Sequence, residues 1–209
     1  VRFHDSAPGA SPFEQITFAE EVGVIGDFDL AMCERVIEKI NQANADGYEL
    51  HIAVNLSGRS LEDKTFLQAF DKLLSQHDGV RSQLMFEVTE SAEITDLAAT
   101  NSFISGLRSK GHHVCLDDFG AGAAAFQYLR ALDIDYVKID GMYVREALVK
   151  TNGKSFLKAI ATLCSDLGID TIAEMVEDEE VAQFLIESGV RYGQGNLFGE
   201  PMAEIKRQC

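Results

Sequence analysis

The sequence predicts an α/β protein whose parallel strands close into a TIM-like barrel, and three observations carry that expectation. Short β-rich runs alternate with longer helical ones along the chain, which is how successive strand–helix units build a parallel sheet covered by helices. Nearly every strand delivers an amide, carboxylate or ammonium group at its C-terminal end, the face where a barrel assembles a site from several strands. The glycine-rich phosphate loop that usually marks the switch point of a doubly wound sheet is absent from the sequence.

Leu50–Val54, Leu84–Val88, Val114–Leu116, Tyr136–Ile139 and Thr171–Ala173 read as buried strands, with a weaker one over Val190–Gly193. Between them, Leu30, Cys33, Ile37 and Ile40 share one helical face. Phe66, Phe70 and Leu73 share another, and Leu157, Ile160, Leu163 and Leu167 repeat the spacing. Asp27 and Thr95 stand where helix N-caps belong, while Gly47, Gly111, Gly168 and Gly189 stand where helices stop.

With 209 residues, 46% of them hydrophobic, and only three prolines, the chain reads as one domain over 1–209. No apolar run reaches the roughly 18–20 residues of a membrane span, and no signal-peptide pattern opens the chain. Cys33, Cys115, Cys164 and Cys209 are scattered without a C-x-x-C pair; Cys115 and Cys164 lie in apolar runs as buried thiols, and a reduced, cytoplasmic setting is expected. Membrane or sensory segments flanking the chain are not excluded. A formal net charge of −16 argues against nucleic-acid polymers and anionic membrane surfaces as partners. A small anionic ligand stays compatible with that charge if divalent cations offset the acidic side chains locally.

The strand-end residues Asn55, Glu87, Asp117 and Asp118 form an oxygen-rich set that suits Mg²⁺, Mn²⁺ or Ca²⁺ rather than zinc. Adjacent Asp117 and Asp118 face one site only if the backbone turns at the strand end. Taken singly, each has a plainer role, since a strand-end Asp often caps the next helix and Asn55 suits a turn. Lys138, between Val137 and Ile139, places an ammonium in an apolar strand, where it needs carboxylates or a phosphate. Glu174, between Ala173 and Met175, is a poised carboxylate by the same argument. A structural Lys138–Glu174 ion pair is the plainer alternative.

Six segments in order resemble the successive motifs of EAL domains: Val54-Asn55-Leu56-Ser57, Phe86-Glu87-Val88-Thr89-Glu90, Leu116-Asp117-Asp118-Phe119-Gly120-Ala121-Gly122, Val137-Lys138-Ile139-Asp140, Ala173-Glu174-Met175-Val176-Glu177 and Gln194-Gly195. Phe18–Ile25 resembles the stretch before that family's first long helix, and Phe198–Pro201 its closing F-S-x-P. The resemblance implies a TIM-like (β/α)8 barrel of EAL type, N-terminally truncated, that binds cyclic di-GMP and hydrolyses it to linear pGpG. It implies two ions, Mg²⁺ or Mn²⁺, with Ca²⁺ as a non-productive substitute. Asn55, Glu87 and Asp117 would ligate the first ion, and Asp117 would bridge to a second that Asp118 helps hold. Lys138 would orient the attacking water and Glu174 would be its general base. Arg2, Asp140, Gln194 and Glu177 would contact substrate or support the site. Glu90 would anchor the loop after Asp118, through which a homodimer is expected.

The departures are specific. Val1-Arg2-Phe3 aligns just past the Glu-Ala-Leu signature, whose Glu and strand are expected upstream. Ala123, Ala124 and Ala125 replace Tyr-Ser-Ser, Met175 replaces Gly beside the base, and Thr17 stands where Pro is common. Two readings follow. The retained acidic residues and Lys138 favour a metal-dependent phosphodiesterase. The altered loop and Met175 favour a catalytically weak cyclic di-GMP receptor that signals to a protein partner. A carboxylate-and-lysine barrel that abstracts protons beside Mg²⁺ fits the bare spacing but leaves the ordered motifs unexplained.

Overall fold

The structure is a computed structural model and describes residues 11–89, 94, 96–120 and 125–202. The chain divides between Val114 and Cys115 into two compact units.

The first unit opens with α1 (Pro12–Val22) and α2 (Ile25–Ala45), followed by β1 (Ile52–Leu56), α3 (Gly58–Glu62) and α4 (Lys64–Ser75). A 3-10 turn over Asp78–Gln83 leads into β2 (Leu84–Thr89), and α5 (Leu97–Ser109) precedes β3 (His113–Phe119), where the division falls. Ser11 caps α1 in a reciprocal box with Glu14, and the left-handed Gly23 turns the chain into the 21-residue α2. Cys33, Ile37 and Ile40 of α2 are buried, with Leu30 half-buried. Phe66, Phe70 and Leu73 bury the face of α4, and Phe70 meets Phe86 of β2 edge-on at 5.1 Å.

Three expectations need correction here. β1 runs from Ile52 to Leu56 rather than from Leu50, because pairing with β2 starts at Ile52 opposite Leu84, and the 3-10 turn before Leu84 offers no strand partner to Leu50. Asn55 therefore lies within β1, not after it. Asp27 does not cap α2: the helix starts at Ile25 from Val24 without a side-chain cap, leaving Asp27 in the first turn, where its charge suits the helix N-terminus. Thr95 lies outside the described residues, and Asp96 caps α5 through the Ala99 N–H at 3.0 Å.

The second unit continues from β3 through α6 (Ala125–Ala131), β4 (Tyr136–Ile139), α7 (Gly141–Val149), α8 (Gly153–Asp166), β5 (Asp170–Ala173), α9 (Glu179–Glu187) and β6 (Tyr192–Gly193). β3, β4, β5 and β6 lie side by side in chain order, each pair parallel. The core holds Leu116, Phe119, Val137, Ile139, Ala173, Leu157 and Cys164. On α8 the buried stripe is Leu157, Ile160, Ala161 and Cys164, while Leu163 and Leu167 are 38% and 52% exposed. Two steps of three carry Leu163 back by ~120° about the axis from Leu157, off the buried face, and Leu167 is the C-cap beyond the last turn of α8. Gly47, Gly111, Gly168 and Gly189 follow helices in the left-handed conformation, as expected.

Candidate active site

In the first unit, Asn55 and Glu87 are directly paired across β1 and β2, near the strands' C-terminal ends. Glu87 is buried and Asn55 is exposed. The chain after Asn55 is tied down from α2: the carboxylate of Asp29 accepts the Ser57 N–H at 2.9 Å and the Ser60 hydroxyl at 2.6 Å. Ser57 Oγ in turn donates to Glu20 at 2.7 Å. Burial raises the Asp29 carboxyl to about 6, against the lowering effect of its two serine donors, with the Glu20 charge adding to the rise.

In the second unit, Asp117 and Asp118 lie just before Phe119, the last residue of β3, with their carboxylates turned to one place. The register with β4 shifts between Leu116 and Phe119, and Asp118 takes a left-handed φ of 58°. That local turn overcomes the strand alternation that would point neighbours to opposite faces. Asp117 Oδ1 accepts the backbone N–H of Asp118 at 2.9 Å. One oxygen each from Asp117, Asp118 and Glu174 lies within 4.8 Å of the others. Such a set of hard oxygen donors fits a divalent cation of the Mg²⁺, Mn²⁺ or Ca²⁺ kind.

Lys138, only 5% exposed, brings its ammonium to the same place. Its Nζ lies 2.8 Å from Glu174 Oε1 and 3.0 Å from Asp117 Oδ1. The strand places it there because Val137 and Ile139 occupy the opposite face of β4, buried in the core. Burial raises the pKa of Asp118, and the charges of Asp117, Glu174 and Asp140 add to that, against the opposing pull of Lys138. Asp118 thus feels repulsion from its neighbours that Lys138 opposes, and a bound cation would oppose it further.

Beside this cluster, Glu174, Met175, Glu177, Gln194, Gly195 and Asn196 line a recess of about 230 Å³. Gln194 is fixed by its backbone, donating to the Ala173 carbonyl at 2.8 Å and accepting from the Val176 N–H at 3.0 Å. The backbone of Val176 runs against Gly195 so closely that a Cβ there would lie 2.7 Å from the Val176 carbonyl carbon. Asp140 caps α7, accepting the Met142 and Tyr143 N–H groups at 2.8 and 3.3 Å. Arg2, Glu90 and residues 121–124 lie outside the described residues.

An EAL domain family model matches residues 1–201. The chain belongs to the EAL domain family. It is 32% identical over 192 residues to cyclic di-GMP phosphodiesterase PdeB of Shewanella oneidensis, covering 91% of this EAL chain and 22% of the relative. The chain spans between 22 and 34% of the length of the curated relatives it matches. The PaMucR phosphodiesterase in complex with c-di-GMP superposes with a TM-score of 0.83 at 28% identity, over 94% of this chain and 81% of that one. A FimX EAL domain reaches a TM-score of 0.87 over 98% of this chain and 83% of that one; at 23% identity it speaks for the fold, the parallel α/β architecture of EAL domains.

Against EAL-type expectations, the structure gathers Asp117, Asp118, Lys138 and Glu174 into one cluster and sets Glu177 and Gln194 on its flanking recess. Sequence reasoning missed three contributors. Asp29 sits on an amphipathic helix, where a carboxylate looks like solvated surface. Arg145 of α7 pairs with Glu177 at 2.9 Å across 32 positions of sequence, which no local spacing shows. Gly141 is the third: Met175, with a left-handed φ of 54°, folds its side chain across it.

Proposed function

We propose that this EAL domain binds cyclic di-GMP and hydrolyses one of its phosphodiester bonds to give linear pGpG. The observation that carries the proposal is the buried Lys138 held between Asp117 and Glu174 beside Asp118. The names of the curated relatives and the dinucleotide complex of the 28%-identical PaMucR phosphodiesterase point to the same substrate.

Asn55, Glu87 and Asp117 are the ligands proposed for one divalent ion, with Asp117 shared with a second that Asp118 helps hold; Mg²⁺ or Mn²⁺ supports turnover and Ca²⁺ supports binding alone. Bound ions would supply Lewis acidity to water and phosphate. The chain's own part is proton transfer and positioning. Lys138 orients the attacking water by donating to its oxygen, and Glu174 takes the proton as that oxygen bonds to phosphorus. The bond from phosphorus to the ribose 3′-oxygen breaks, and the leaving oxygen takes up a proton. Asp140, Gln194 and Glu177 hold the dinucleotide, joined by Arg2. Glu90 anchors the loop after Asp118, through which the domain forms a homodimer; the exposed Phe126 at the start of α6 supports an apolar contact there. The buried thiols of Cys33, Cys115 and Cys164 suit a reducing, cytoplasmic compartment.

A second reading, a cyclic di-GMP receptor without turnover that signals to a protein partner, is favoured by Met175, whose left-handed backbone adjoins the base. One experiment separates the two: pGpG formation by the full-length protein with excess Mg²⁺ or Mn²⁺. Turnover that falls about 10²–10⁴-fold in Glu174→Gln, with binding retained in Ca²⁺, supports hydrolysis. Tight binding with no product above a metal-free control leaves the receptor.

A further inference from the structure

Among the described residues, φ between +20° and +160° occurs at only two non-glycine positions, Asp118 and Met175, and both border the carboxylate cluster. Asp118 has an evident use, because its turn brings a second carboxylate to the cluster. Met175 has no such excuse. Glycine would adopt this backbone without a steric cost, yet the chain keeps a long side chain here. An outlier of this kind beside a site is grounds to look for a role in the site.

The side chain has two flanks. One lies over Gly141 at the start of α7, where a Cβ would fall 2.6 Å from the Met175 Cβ and Sδ. The absence of a side chain at Gly141 is therefore what gives Met175 its berth. The other flank is open: Met175 is 46% exposed and lines the recess with Glu174, Glu177, Gln194 and Asn196. Among the described residues lining it, Met175 contributes the apolar side chain and the others contribute hydrogen-bonding groups. A small-molecule site combines apolar surface with a few placed polar groups. A polarizable thioether is a good surface for an aromatic ring. Amides and carboxylates around it can read the donors and acceptors on a ring edge.

We propose that Met175 is a ligand-contacting, specificity-determining residue, whose thioether, berthed on Gly141, receives the face of one purine of the dinucleotide. This rests on the cyclic di-GMP reading of the site and adds to it a contact that glycine at this position could not make.

The test is calorimetric binding of cyclic di-GMP in Ca²⁺ by the full-length protein and its variants, with thermal melting run in parallel. Met175→Gly should weaken binding about three- to tenfold while the melting temperature holds or rises, since the left-handed strain is removed. Met175→Leu should bind within about twofold of the parent, because it keeps apolar surface in the berth. Gly141→Ala should also weaken binding, by pushing Met175 out of its berth, and adding Met175→Gly to it should recover the melting temperature but not the affinity. Unchanged or tighter binding by Met175→Gly, beside a parent that binds, overturns this inference and leaves the proposed function standing. A fall in melting temperature for Met175→Gly with affinity unchanged identifies Met175 as packing for α7 and also overturns it. A parent protein that does not bind cyclic di-GMP removes both.

Discussion

Lys138 Nζ lies 2.8 Å from Glu174 Oε1, with the lysine 5% exposed, so the proposed base is tethered by a cation that solvent scarcely reaches. The same ammonium lies 3.0 Å from Asp117. Removing one member of a buried charge pair leaves the others uncompensated, at a cost of about 3–5 kcal/mol. Lys138→Met should therefore lose about 3 kcal/mol of stability in metal-free urea denaturation. Mn²⁺ should restore part of that loss, because a divalent ion replaces the missing positive charge among the carboxylates. Equal stability of the variant and the parent without metal would contradict the pairing.

What made this cluster legible was cost. An ammonium between Val137 and Ile139 demands a partner, and the structure supplies two. The alternation of strands and helices was legible for the same reason, since apolar period and length follow from what each element buries. Strand starts were not, because β1 begins where β2 first offers a partner rather than where its own apolar run begins. Nor was the means by which Asp117 and Asp118 converge: a turn at the strand end was needed, but the register shift and the left-handed Asp118 belong to the pairing with β4. The contacts of Arg145 with Glu177 and of Met175 with Gly141 join residues more than thirty positions apart, and neither has a local signal.

Asp29 should give the first unit a measurable pH dependence. Its folded pKa, about 6, stands above an ordinary 3.8, with burial the main cause. The stabilising contribution of the protonated form is therefore complete below about pH 3.8 and is lost as pH rises through about 6. The size is about 3 kcal/mol. Asp29→Asn keeps a neutral oxygen acceptor for Ser57 and Ser60 and should not show this loss. Relative to the parent, the variant should gain about 3 kcal/mol between pH 4 and pH 7 in urea denaturation. A constant difference across that range would refute the buried titration.

His112 predicts the opposite slope. It is 3% exposed, its ring lies 5.3 Å from that of Phe86, and its Nδ1 has no hydrogen-bond partner among the described residues. Burial pushes its pKa below 6.5; the backbone at Leu84 opposes this, while the charges of Arg81 and Lys110 reinforce it. A base depressed in the folded state contributes stability that is present above pH 6.5 and is lost as pH falls through the folded value. His112→Leu should cost a roughly constant amount at pH 8, through the lost backbone partner, and show a shallower decline below pH 6.5. An acid limb as steep as the parent's would place the sensitivity elsewhere.

Arg145 separates site geometry from stability. Its guanidinium pairs with Glu177 at 2.9 Å, but both side chains are more than half exposed. An exposed pair of this kind contributes about 0.2–1 kcal/mol, so Arg145→Ala should scarcely change the melting temperature. Its effect should fall on the recess, where Glu177 faces the proposed dinucleotide site beside Glu174 and Gln194. Released from Arg145, Glu177 must be ordered by the ligand, and that ordering weakens binding. The expected outcome is a KM raised about two- to fivefold with kcat unchanged, because the proton transfer at Glu174 is untouched. Arg145→Lys should recover part of the affinity, since it keeps the charge but loses the planar fork. A fall in kcat at constant KM would show instead that Arg145 reaches the chemistry through α7, where Asp140 caps the first turn and Gly141 carries Met175.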